Sequence, residues 1–94
     1  MKVLVTYDVA TTDKAGIQRL RRVARACEDY GQRVQKSVFE CVLSPLEWIQ
    51  LQRRLLDEID AREDSLRFYM LAADIQVEHH GIGVPADLEG LLLV

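Results

Sequence analysis

The chain has 94 residues, 49% hydrophobic and 29% charged, with a formal net charge of −3. That suffices for one domain with a modest core, and not for a deep enclosed active site. No run approaches the roughly 18 apolar residues of a membrane span and the N-terminus lacks a signal-peptide pattern, so the expected location is the cytoplasm, with no membrane partner.

Residues 2–9, Lys-Val-Leu-Val-Thr-Tyr-Asp-Val, read as the first strand. Their apolar content suits a strand with much of its surface buried. Asp8 interrupts it near the C-terminal edge, just before the polar run Thr11-Thr12-Asp13-Lys14. A carboxylate inside an apolar strand usually has a partner. Ligands commonly bind at that edge of an open α/β sheet. The plainer reading is that Asp8 ends the strand and bonds to nearby backbone N–H groups.

Asp13 or Thr12 caps a helix that begins near Ala15. Ile17, Leu20, Ala24 and Cys27 recur at spacings of three and four as an apolar stripe, which Val23 widens. Gln18, Arg21, Arg22 and Arg25 share another face, with Arg19 beside them. Taken alone, that is a solvated charged face. Residues 1–36, however, carry eight Lys or Arg against four acids, a balance of +4; residues 37–94 carry four Arg against eleven acids, a balance of −7. A basic half within an acidic chain is compatible with a local polyanion site. Gly31 after Tyr30 is a helix stop.

Residues 32–43 are β-type, with no internal Gly or Pro. Two short strands joined near residues 35–37 are preferred over one long strand, for a topological reason. Strand, helix, strand gives a parallel pair by a right-handed crossover, and a hairpin partner then completes a split βαβ unit. Ser44 as N-cap, Pro45 at N1 and Glu47 at N3 open a second helix with a capping box. Its apolar stripe is Trp48, Leu51, Leu55 and Ile59, with Leu56 adjacent, and its end is expected at residues 60–62. Arg53, Arg54, Asp57 and Glu58 offer ion pairs along its exposed side.

Residues 64–72 form the next strand, with Leu66, Phe68, Met70 and Ala72 on one face. Residues 75–80 alternate as a further, peripheral strand, and Gly81, Gly83 and Pro85 mark a loop. Four apolar residues, 91–94, end the sequence. A monomer has little reason to expose them. The whole reads as one domain over residues 1–94, a ferredoxin-like α/β sandwich of order βαββαβ, with one or two C-terminal strands added. Residues 86–94 are the last strand, docking on its own sheet edge or on that of a second subunit in a homodimer.

Searches for GxGxxG, a phosphate-binding loop and GxSxG fail. Ser37 has no evident histidine base. His79 and His80 are adjacent, so in a strand they point to opposite faces and do not chelate one metal together. Cys27 and Cys41 lack metal-type spacing and read as reduced, buried thiols. What remains is Asp8, with Arg19, Arg21, Arg22, Arg25, Arg33 and Lys36 nearby in sequence. One carboxylate is a poor site for Mg²⁺, and two brought together by a two-fold axis make a better one.

Three segments together resemble the CRISPR-associated protein two family, the small subunit of the spacer-acquisition machinery. They are Val5-Thr6-Tyr7-Asp8-Val9, Arg19-Leu20-Arg21-Arg22-Val23-Ala24 and Gly31-Gln32-Arg33-Val34-Gln35-Lys36-Ser37-Val38-Phe39-Glu40-Cys41. The Gly-x-Arg-Val-Gln-x-Ser-Val-Phe-Glu stretch is the most specific part. Residues 64–67 and 87–91 also fit, so the resemblance covers nearly the whole chain and is strongest to the subtype I-C branch.

The resemblance implies a ferredoxin-like homodimer with a C-terminal strand exchanged between subunits. It implies Mg²⁺- or Mn²⁺-dependent cleavage of phosphodiester bonds in RNA or double-stranded DNA, and a CRISPR-associated integrase as partner. By that resemblance Asp8 is the metal ligand and Tyr7 accompanies it in the catalytic site. Arg22, Arg33 and Phe39 match positions implicated in nucleic-acid handling, and Arg19 joins them as a helix arginine. Three readings follow: a metal-dependent nuclease, a non-catalytic DNA-binding scaffold for the integrase, and a small-molecule sensing or dimerisation domain of the same shape.

Overall fold

Strand β1 (Lys2–Asp8) buries every second residue, so Val3, Val5 and Tyr7 enter the core while Lys2, Leu4, Thr6 and Asp8 lie on the other face. In this computed structural model, which describes residues 1–83, β1 occupies the middle of a four-stranded sheet. Helix α1 (Lys14–Tyr30), strands β2 (Gln32–Gln35) and β3 (Val38–Val42), helix α2 (Pro45–Glu58) and strand β4 (Ser65–Leu71) follow. The sheet order is β2-β3-β1-β4, with every neighbouring pair antiparallel. β3 thus lies between β1 and β2, and β1 between β3 and β4, which makes two interleaved split βαβ units. The ferredoxin-like sandwich expected from the sequence is the observed fold, including the short connection that breaks residues 32–43 into two strands.

Asp13 caps α1 by accepting from the Gly16 N–H at 2.8 Å. The buried face of α1 is rotated from the expected stripe. Gly16, Val23, Ala26 and Cys27 are buried, whereas Ile17 is 40% exposed. Gly16 lies against the segment that leaves β1, where a Cβ would stand 1.9 Å from the Ala10 carbonyl oxygen, and Val23 is fully buried in the core rather than flanking it. Gly31 ends α1, its N–H donating to the Cys27 carbonyl at 2.8 Å. Its φ of −155° is extended backbone, so the left-handed cap expected of a glycine stop is absent. Space is what requires glycine here. A Cβ at residue 31 would lie 2.3 Å from Cys41 Sγ and 2.7 Å from the Glu40 carbonyl oxygen. Gly31→Ala should therefore destabilise the fold by about 1–3 kcal/mol through overpacking. A urea midpoint equal to wild type would show that β3 yields freely.

Ser44 and Glu47 form the expected capping box, the Ser44 hydroxyl accepting at 3.1 Å and Glu47 at 2.9 Å. Leu51 and Leu55 are fully buried and Trp48 and Ile59 pack beside them. Trp48 meets Phe68 edge-on, centroids 4.9 Å apart, which fastens α2 to β4. α2 stops at Glu58, earlier than expected, because the Asp60 carbonyl accepts from the Glu63 and Asp64 N–H groups in a turn. Ion pairs expected along α2 instead cross to α1. Arg54 meets Asp29 at 2.7 Å and Arg22 approaches Glu58 at 4.0 Å.

Among the described residues, β4 is an edge strand. Leu66 and Phe68 pack against the core, but Met70, next in their row, is 54% exposed, and Ala72 lies beyond the strand end. Residues 75–80 are not a strand. They alternate in sequence, but a strand needs a ladder partner, and they have none among the described residues. The expected strand at 86–94 falls outside the described residues. Among the described residues, no helix is long and apolar enough to cross a membrane.

Candidate functional site

Asp8 ends β1 on the sheet face opposite the helices, in register with Ser65 of β4. It is exposed, and its carboxylate makes no hydrogen bond or ion pair among the described residues. The backbone-bonded strand end is therefore not what Asp8 does. A carboxylate left free at the end of the central strand is available to a cation or a substrate.

Alternation sends Tyr7 the other way. It is 6% exposed, stacked on Phe39 with centroids 6.2 Å apart, and burial pushes its hydroxyl pKa up. The Tyr7 hydroxyl donates to the Lys36 carbonyl at 3.5 Å, and the Tyr7 N–H to the Ser37 carbonyl at 3.1 Å. Tyr7 thus holds the β2–β3 turn against the end of β1. Phe39 is fully buried in β3, so it presents no face on which a base could stack. Arg33 lies over the Phe39 ring at 4.8 Å, donates to the Lys36 carbonyl and reaches Glu28 at 3.4 Å. These three predicted site residues form one cluster, and it converges on the turn beside Asp8 rather than on open solvent.

Arg19 is committed elsewhere. Its side chain is 15% exposed and bonds Asp64, whose side chain is fully covered, at 2.9 and 3.3 Å. Asp64 also accepts from the backbone N–H of Ala10 at 3.0 Å and of Asp60 at 2.8 Å. Burial raises its pKa, but the Arg19 hydrogen bond and the two backbone donors outweigh it and hold the carboxyl below its usual range. Asp64 thereby ties the segment just after Asp8 to α1 and to the start of β4. The sequence reading placed Asp64 only as a strand end.

Arg22 remains on the outer face of α1, its side chain 61% exposed, and its 4.0 Å approach to Glu58 is a weak surface pair. Arg25 pairs with Asp29 one turn away at 3.3 Å. Lys14, Arg21, Lys36 and Arg53 are exposed and make no side-chain hydrogen bond or ion pair among the described residues. Cys27 and Cys41 are buried free thiols, pushed up by burial to about 12 and about 11, which makes them poor nucleophiles at neutral pH.

Glu40 was also missed. It stands opposite Leu4 on the open sheet face, and its Oε2 is buried without a hydrogen-bond partner. Burial pushes its carboxyl pKa up. The signal was visible as an acid inside the apolar run Val38-Phe39-Glu40-Cys41-Val42. His79 and His80 are exposed, and His80 contacts Glu78. Among the described residues, no three His, Cys, Asp or Glu side chains cluster to hold a metal. One chain thus offers a single carboxylate at the Asp8 position among the described residues. It fits a hard cation such as Mg²⁺ only together with oxygen donors from water, phosphate or a second copy.

Residues 1–77 match the family described as CRISPR associated protein Cas2. A CRISPR-associated endoribonuclease Cas2 from Chlorobaculum tepidum is 55% identical over 96 residues, covering 100% of both chains. A CRISPR-associated endonuclease Cas2 from Halalkalibacterium halodurans is 47% identical over 95 residues, covering 99% of both. The crystal structure of Streptococcus pyogenes Cas2 at pH 6.5 superposes with a TM-score of 0.75 at 54% identity, covering 86% of this chain and 100% of the other.

Proposed function

The chain belongs to the CRISPR-associated Cas2 family, and from that premise we propose that it is an endonuclease of CRISPR adaptation. It hydrolyses phosphodiester bonds in RNA or double-stranded DNA. Relatives named endoribonuclease and endonuclease support the reaction class. The observation that carries the site is the exposed Asp8 carboxylate, free of hydrogen-bond and ion-pair partners among the described residues, at the end of the central strand.

Asp8 would hold Mg²⁺ or Mn²⁺, joined by water, substrate phosphate and the Asp8 of a second copy in a homodimer. Bound there, the metal supplies charge neutralisation at the phosphoryl oxygens and lowers the pKa of its water. The chain's own residues do the rest. Tyr7, Phe39 and Arg33 fix the β2–β3 turn beside Asp8. Asp64 and Arg19 fix the segment that follows it. Exposed Arg21 and Arg22 offer positive charge to the nucleic-acid backbone. Arg19, Arg33 and Phe39 act by positioning rather than by contact. The partner for this activity is the CRISPR-associated integrase, with which the homodimer takes part in spacer acquisition.

The test is a nuclease assay of wild type and Asp8→Asn, each with Mg²⁺ and with EDTA, on single-stranded RNA and on duplex DNA. Metal-dependent cleavage lost in the variant supports the reading. Equal cleavage by both proteins leaves the DNA-binding scaffold as the better description.

A further inference from the structure

The β2–β3 turn is held more firmly than a solvent-exposed turn requires. The Lys36 carbonyl accepts from both the Tyr7 hydroxyl and the Arg33 guanidinium. The adjacent Ser37 carbonyl accepts from the Tyr7 N–H at 3.1 Å. The register of β1 and β3 ends at Thr6↔Val38. Lys36 therefore lies two residues beyond the last paired position on one strand, as Asp8 does on the other. Four exposed cations lack internal partners among the described residues, and Lys36 is the one whose backbone is fixed to this strand end. Arg21 and Arg53 sit within helices and Lys14 opens α1.

We infer that Lys36 is the phosphate-contacting cation of the Asp8 site. This rests on the nuclease reading for the identity of the substrate and adds the residue that grips it. A lysine delivers a compact point charge to a phosphate, and an anchored backbone lowers the cost of placing it. The alternative place for that ammonium is a groove of about 350 Å³ lined by Arg33, Gln35, Lys36, Glu40, Glu78 and His79. Glu40 and Glu78 offset Arg33 and Lys36 along that groove, so it has no surplus of positive charge for a phosphate. At the strand end, a cation held by Asp8 would add to the charge of Lys36. Tyr7 and Arg33 act through Lys36 as positioning residues.

The experiment measures duplex DNA binding against salt in EDTA, where no metal-dependent step intervenes, for wild type, Lys36→Ala and Lys36→Arg. Each lost phosphate contact lowers the slope of log K against log salt by about 0.9. A homodimer with two Lys36 contacts should lose between about one and two units of slope, and about tenfold in affinity at low salt. Lys36→Arg should restore both. Melting midpoints should match throughout, because the Lys36 side chain has no partner to lose among the described residues. In Mg²⁺, Lys36→Ala should raise KM more than it lowers kcat.

An unchanged slope and affinity for Lys36→Ala overturns the assignment. So does a lost slope with an unchanged KM, which would place the lysine away from the cleaved strand. If Asp8→Asn still cleaves while Lys36→Ala loses slope and KM, the phosphate contact stands and the Asp8 metal assignment is what fails.

Discussion

Asp64→Ala should lower stability by about 2–4 kcal/mol and the melting midpoint by at least about 10 °C. The alanine removes a fully covered carboxylate that accepts from Arg19, Ala10 and Asp60. Two backbone N–H groups are left without their acceptor and Arg19 keeps only its 3.6 Å approach to Glu63, which costs more than the bonds themselves contributed. Arg19 is 15% exposed and can turn partly to water, so the loss falls below that of a fully buried pair. Asp64→Asn keeps one acceptor oxygen and should lose less. The pH dependence has a fixed sign. The folded-state pKa of Asp64 is lowered from 3.8, so its contribution is present above that ordinary value and is lost as pH falls through the lower folded one. Wild type should therefore lose stability on acidification more steeply than Asp64→Ala, and the two curves should converge in acid. Parallel curves would mean that Asp64 holds the fold by shape alone. Because Asp64 bonds Ala10, two residues after Asp8, the variant should also lose activity at temperatures where it is still folded.

This network was illegible in the sequence for a physical reason. Arg19 and Asp64 are 45 residues apart, and no periodicity links them. Read along α1 alone, Arg19 joins a basic face; the chain's return from α2 brings the carboxylate that claims it. Local features were legible because neighbouring residues set them. The capping box at Ser44 and Glu47, the cap at Asp13 and the alternation of β1 need only a few residues each. Phe39 marks the boundary between the two. Its β-strand was readable from composition, but burial of its ring is set by the register of β3 against β1, which pairs it with Val5. The same distinction explains residues 75–80. Alternation is a local property and pairing is not, and the alternating pattern found no partner strand among the described residues. Asp8 was legible because its isolation within an apolar strand is itself local.

Asp8→Asn is expected to reduce Mg²⁺-dependent cleavage by about a hundredfold or more. A metal that stabilises transition-state charge contributes several kcal/mol, and each 1.4 kcal/mol or so is tenfold in rate. The asparagine keeps the shape and removes the charge that a hard cation needs. Unlike Asp64, Asp8 has no hydrogen bond or ion pair to lose among the described residues. The melting midpoint without metal should therefore match wild type, and so should the oligomeric state in solution. Adding Mg²⁺ should raise the wild-type midpoint by preferential binding to the folded state and leave that of Asp8→Asn unchanged. Carboxylate ligands bind metal in the deprotonated form, so this Mg²⁺-induced shift should grow as pH rises out of the acid range, with protons released on binding. Cleavage should follow the same direction, since deprotonation favours both the metal and its activated water. Duplex binding in EDTA should survive the substitution, because it leaves the proposed phosphate contacts of Lys36, Arg21 and Arg22 in place. A variant that cleaves as fast as wild type from the same preparation would remove Asp8 from the reaction. The family's nucleic-acid binding would then rest on the basic residues alone, and cleavage in the preparation would belong to another protein.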